Sequence, residues 1–121
     1  MLVYFTQLLN KPVFDSEDKS LGKISDLAVS TGEVFPRVSS ITFVKGKEPF
    51  MLSWQQVREY DTGGIRLGAK QSELKLTFLQ PSEILLGRDL LDRQIVDTQG
   101  LKVVRVNDLK LTQSENELRL L

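Results

Sequence analysis

The side chains able to do chemistry in this chain are carboxylates and little else. Histidine and cysteine are both absent from the 121 residues. That removes a Ser-His-Asp triad, imidazole and thiolate metal ligands, thiol nucleophiles, disulfides and the usual proton shuttle near neutral pH. What remains is an acidic run at Asp15, Glu17 and Asp18 and a second set at Asp92, Asp97 and Asp108. A pair of carboxylates across a cleft could work as general acid and base. The run at 15–18 could hold Mg2+ through one or two carboxylates and several waters, but it lacks the spacing of a calcium loop. Ser, Asp and Asn also populate hairpin tips for local hydrogen-bonding reasons, and that is the reading preferred here. No catalytic residue and no cofactor are expected, with Mg2+ the one ion to keep in view. Gly63-Gly64 has no Lys-Ser/Thr and no helix after it, which excludes a phosphate loop.

The positions of these aspartates point to structure, because they occur twice. Leu8 to Val29 (LLNKPVFDSEDKSLGKISDLAV) and Leu90 to Leu111 (LLDRQIVDTQGLKVVRVNDLKL) superpose without a gap at an offset of 82. Leu8/Leu90, Leu9/Leu91, Asp15/Asp97, Asp26/Asp108 and Leu27/Leu109 are identical, while Val13/Ile95, Lys23/Arg105, Ile24/Val106 and Val29/Leu111 keep their type. Asp15, Asp26, Arg93, Asp97, Arg105, Asn107 and Asp108 are therefore the candidate motif, read as salt bridges and backbone caps that pin two hairpins, with a polar patch facing a partner as the functional alternative.

The elements that must position them are strands. Leu2–Phe5 and Lys11–Phe14 are β-prone, and the polar turn Asp15–Ser20 leads into the next run as a hairpin. Strict alternation puts Ile24 on one face and Leu27 and Val29 on the other, so the phase slips at Ser25-Asp26. The second copy slips at Asn107-Asp108. One extra residue that returns both apolar sets to a single core face is a β-bulge, expected at each aspartate. Further strands are expected at Arg37–Val44, Phe50–Trp54 and Ile65–Leu67, with a single turn after Trp54, whose indole is expected to pack in the core. A weaker strand is expected at Leu74–Leu79. Gln80-Pro81-Ser82-Glu83 reads as a helix start, with a short helix through Leu91 and a hairpin tip at Thr98-Gln99-Gly100. Short strands at regular spacing argue for a barrel or sandwich.

Composition sets the class. The length is that of one domain able to bury roughly two-thirds of its unfolded surface. Sixteen basic residues balance sixteen acidic ones, so nothing draws the chain to nucleic acid or anionic lipid. Apolar runs are too short to span a bilayer, no secretory signal is evident, and a cytoplasmic setting without membrane insertion is expected.

The LLDRQIVD at Leu90–Asp97, Gly100 and KVVRVNDLKL at Lys102–Leu111 resemble the PRC-barrel family, named for the photosynthetic reaction centre H subunit. The first copy, with Lys11-Pro12-Val13-Phe14-Asp15, Leu21-Gly22-Lys23-Ile24-Ser25-Asp26-Leu27 and Leu52-Ser53-Trp54, resembles a fuller member. The family often has Gly where this copy has Asp18. The second copy's RVND form is similar to tandem PRC-barrel regions ahead of MgtE-type magnesium transporter modules. The resemblance implies a mainly all-β fold, a small six-stranded antiparallel barrel, here with a short helix and a second, incomplete hairpin. Residues 1–79 would form the barrel and 80–121 the helix and the start of a second repeat. It further implies a non-catalytic regulatory or interaction module, related to magnesium transport, that binds another domain or protein. The second copy has only its hairpin and a final short strand, which leaves a bare apolar edge, so the chain is expected to be the N-terminal part of a larger protein and to pair as a homodimer through its C-terminal repeat. The alternative is a ribosome-assembly binding protein of RimM type.

Overall fold

Runs rich in Val, Ile, Phe and Leu at alternate positions form strands because branched and aromatic side chains pack on a pleated surface. In a computed structural model, residues 2–91, 94–96, 103–115 and 117–121 are described. They form β1 (Leu2–Tyr4), α1 (Phe5–Leu8), β2 (Pro12–Phe14), β3 (Ser20–Ser30), β4 (Val38–Lys45), β5 (Glu48–Ser53), β6 (Val57–Asp61), β7 (Gly64–Leu67), β8 (Glu83–Leu85), β9 (Gln94–Val96), β10 (Val103–Arg105), β11 (Lys110–Ser114) and β12 (Glu117–Leu120). The chain is mainly β, as its sequence implies.

The largest sheet runs β5-β4-β3-β2-β7-β6, with β8 added on β3. Its end strands β5 and β6 are joined through the 3-10 turn Trp54–Gln56 but are not hydrogen-bonded to each other, so the sheets do not close into a barrel. The backbone beside β5 is taken instead by the segment that follows β7: Leu76 bridges Leu52, and the Thr77 N–H donates to the Met51 carbonyl at 2.9 Å. The strand expected at Leu74–Leu79 is reduced to that bridge. The sheet is also mixed rather than wholly antiparallel, since β2 lies parallel to β7.

The hairpin of β2 and β3 forms as the sequence implies, and its ladder shifts register between Ile24 and Asp26. The bulge restores phase: Ile24, Leu27 and Val29 are all fully buried. Around Asp108 the break is wider, because residues 106–109 lie between β10 and β11 and belong to neither. At the tip of the first hairpin Asp18 adopts φ +65°, the left-handed conformation for which Gly is the usual choice and Asp a tolerated one.

Two expectations change. Leu2–Tyr4 does not join the first hairpin; it pairs with β11, Val3 opposite Leu111. And residues 80–91 form a turn, the strand β8 and a five-residue π-helical turn, Leu86–Leu90, instead of one helix. Tertiary contacts override helix propensity here. The Glu83 carboxylate accepts bonds from β4, and the fully buried Leu86 fixes the segment against the core.

The core joins both halves of the chain: Phe5, Leu8, Val13, Ile24, Leu27, Ile41, Leu52, Ile65 and Leu67 cluster with Leu86, Leu111 and Leu118. Each such side chain contributes about 1.5–3 kcal/mol on burial. Trp54 packs on the rim of this cluster, tilted against Tyr60 with ring centroids 5.3 Å apart.

Candidate interaction site

The first hairpin presents two buried carboxylates. Asp15, 2% exposed, is held at the tip, where Oδ1 accepts the Glu17 and Lys19 N–H groups, each at 2.9 Å, and Oδ2 accepts the Gln71 N–H at 3.0 Å. Burial works to raise its pKa, but these N–H donors, with the Lys19 charge, prevail and hold it below the ordinary carboxylate value. Its neighbour Asp18 is ion-paired with Arg66, and Glu17 is exposed. Among the described residues, no group of three or more His, Cys, Asp or Glu side chains is arranged to hold a metal ion.

Asp26, 8% exposed, sits on the bulge and reaches out of its own hairpin. Oδ1 accepts the N–H of Leu27 at 2.8 Å and of Gly87 at 2.7 Å, and Oδ2 accepts the Arg88 N–H at 3.0 Å. The carboxylate thus clasps the π-helical turn that leads into the second hairpin. Gly87 is required there by space: a Cβ would lie 2.9 Å from Asp26 Oδ2.

Asp108 does the converse. It accepts the Thr6 N–H at 3.2 Å, the Thr6 hydroxyl, and the Leu109 N–H at 2.8 Å. Burial acts to raise its pKa, but the Thr6 hydroxyl and the Leu109 and Thr6 N–H groups outweigh it, and the net shift is downward. Of the other motif residues, Asn107 is exposed in the connection between β10 and β11. The backbone of Arg105 ends β10, while Arg93 and Asp97 lie outside the described residues, as do Asp92 and the tip Thr98-Gln99-Gly100.

A third clasp has no mark in the sequence pattern. Glu83, 8% exposed, accepts hydrogen bonds from the Ser39 and Ser40 hydroxyls and from the Gln80 N–H at 2.9 Å, fixing β8 to β4 across the end of β3. Burial tends to raise its pKa, the two serines and the Gln80 N–H lower it, and the hydrogen bonds win. Thr6 and Gly87 are likewise site residues that the motif does not include. The available signal was spacing, since Thr6 and Arg88 stand at the same offset as Asp26 and Asp108.

Two carboxylates do line one pocket, a depression of about 280 Å³ that holds Glu59, Asp61 and the Tyr60 ring. Both are engaged, Glu59 with Arg66 at 3.3 Å and Asp61 with the Gly63 N–H at 2.7 Å. The Tyr60 hydroxyl is buried without a partner among the described residues, and burial raises its pKa. No helix among the described residues is long and apolar enough to cross a membrane.

The fold and these clasps define a small β module whose buried carboxylates, Asp15, Asp26 and Glu83, are occupied in holding its own chain together. Residues 1–75 match the PRC-barrel domain model, and the chain belongs to the PRC-barrel family. A search of curated proteins returns no match.

Proposed function

We propose that this chain is a non-catalytic interaction and regulatory module that acts in the cytoplasm and serves MgtE-type magnesium transport. The observation that carries the non-catalytic reading is the commitment of the buried acids: Asp15, Asp26 and Glu83 each accept three hydrogen bonds from backbone N–H or serine hydroxyl groups. The transport assignment rests on the resemblance of the Arg105-Val106-Asn107-Asp108 stretch. A carboxylate so satisfied is a poor general base and a good strut. What the surface offers in its place is apolar: Val34 is 89% exposed, Phe78 74% and Leu76 61%. Large apolar side chains left exposed in this way are available for contact with a protein.

Titration of the chain with the purified cytoplasmic part of an MgtE-type transporter, followed by sedimentation with and without Mg2+, tests this. Association with a dissociation constant of about 10 μM or tighter that responds to Mg2+ is the expected result. Comigration unchanged from the separate components at both Mg2+ levels would overturn the transport assignment.

A further inference from the structure

Three separate contacts between the halves obey one symmetry. Asp26 of the first half accepts the Arg88 N–H of the second, and Asp108 of the second accepts the Thr6 N–H of the first; acceptors and donors alike are related by the repeat offset. β8 pairs antiparallel with β3, and β1 pairs antiparallel with β11. Arg37 forms an isolated antiparallel bridge with Arg119, its own counterpart at the same offset, and the Leu120 N–H donates to the Pro36 carbonyl at 2.8 Å. A residue that meets its own equivalent marks a two-fold axis, and reciprocal i-to-j and j-to-i contacts are the signature of an isologous interface. The hairpins obey the same offset: Pro12 faces Lys23 as Gln94 faces Arg105, and Val29 faces Val38 as Leu111 faces Leu120.

The symmetry is not exact, and the register of the lent strands shows why. Val3 faces Leu111, whereas Leu85, the counterpart of Val3, faces Ala28, the counterpart of Lys110. The pairing is displaced by one residue because the turn after β8 has five residues where α1 has four. Gln7 and Asp89, again a repeat-related pair, each reach back to an N–H at the start of their turn, Tyr4 at 2.8 Å and Leu85 at 2.9 Å.

We infer that the two halves are joined as an exchanged pair about an internal two-fold axis, and that a second copy of this chain can supply its Leu2–Leu8 segment to the Asp108 site in place of the chain's own. Each half lends a strand and a turn to the other, and the receiving half offers a strand edge and an aspartate bent outward. The occupant follows from continuity with this interface: a segment that already docks across halves meets the same edge and the same carboxylate on another molecule. Exchange of an identical element costs little, since the contacts made are those given up. The inference deepens the interaction-module reading by naming one partner and its seat.

The absence of native cysteine makes the test direct. Leu2 faces Thr112 in the ladder, and Leu2 is 55% exposed, so cysteines at both positions report the pairing without entering the core. The double variant L2C/T112C, diluted and oxidised, is expected to close a disulfide within one chain. A mixture of L2C chains and T112C chains, unfolded and refolded together, is expected to give a covalent heterodimer whose yield rises with protein concentration. The next outward pair, Y4C with K110C, repeats the test if the first perturbs folding. Failure of the within-chain bond in both pairs overturns the exchanged fold. A within-chain bond with no heterodimer above the level given by L2C mixed with F78C overturns the second-copy partner, and leaves the transporter assignment to its own titration.

Discussion

Asp26 and Arg88 lie 62 residues apart in sequence, yet the Asp26 carboxylate accepts the Arg88 backbone N–H at 3.0 Å. With Gly87 beside it, this is the point at which the first hairpin holds the second. Without the carboxylate, three N–H groups would lose their acceptor: Leu27, Gly87 and Arg88. An unsatisfied buried group costs about 1–3 kcal/mol. Asp26→Ala is therefore expected to destabilise the chain by about 3 kcal/mol or more in urea unfolding. A loss below about 1 kcal/mol would mean that water replaces the clasp.

Gly87→Ala tests the same contact from the other side. The added Cβ meets Asp26 Oδ2 at 2.9 Å, closer than normal packing allows. Overpacking of this kind costs about 1–3 kcal/mol. In the Asp26→Ala background the penalty should shrink, since the atom that is struck has gone, and a double-mutant cycle measures the difference.

Gly22 and Gly64 are constrained by both conformation and space. Their φ values are +154° and +142°, and a Cβ would lie 2.4 Å from the Val44 carbonyl oxygen and 2.5 Å from that of Pro12. Both obstacles are backbone within the sheet and cannot swing away. Either Gly→Ala change is expected to lower stability by about 3 kcal/mol. Gly46→Ala, in open space at φ +65°, carries only the conformational cost and should lose about 1 kcal/mol. Equal losses at the three sites would refute the steric account.

Acid should weaken the fold through four carboxylates, one of them Glu33, which the Arg119 guanidinium holds below its ordinary value. Asp15, Glu83 and Asp108 all have pKa values below their ordinary 3.8, 4.5 and 3.8, because hydrogen bonds to the ionised form outweigh burial. For a depressed pKa the unfolded chain takes up protons first. The stabilisation is fully present above the unfolded values and is lost as pH falls through the folded ones. Thermal midpoints should thus stay level down to about pH 5 and fall below about pH 4. Glu83→Gln should flatten part of that slope. An acid limb as steep as the parent's would show that Glu83 binds its proton alike in the folded and unfolded chain and adds nothing to the slope.

Exposure separates interface from framework. Leu118→Ala removes a fully buried side chain from the second half of the shared core and should cost about 2–5 kcal/mol. Phe78→Ser, at a position 74% exposed, should leave stability within about 0.5 kcal/mol. If Phe78 belongs to the protein-facing surface, this change weakens partner binding while the melting curve holds.

The local features were legible. The phase slip at Ser25-Asp26 gives the register shift between Ile24 and Asp26, because two-residue periodicity leaves a chain no other way to keep Ile24, Leu27 and Val29 on one face. The hairpin of β2 and β3 and the turn at Trp54–Gln56 follow from similar short-range rules. The helix expected near Leu86 did not form as such. Its Pro and Glu were good start signals, but Glu83 serves Ser39 and Ser40 on a strand far back in the chain, and no local rule reports that.

By itself the sequence determined that the chain is mainly β, that its first hairpin turns at Asp15 and that neither histidine nor cysteine chemistry is present. Periodicity and side-chain type act within a few residues, so they can be read from the string. Only the tertiary structure decided that β1 goes to β11, that β8 goes to β3 and that Asp26 and Asp108 each serve the other half. Strand edges hydrogen-bond through backbone groups common to every residue. The choice of partner is made by which apolar faces can be buried together, and that is a property of the whole chain.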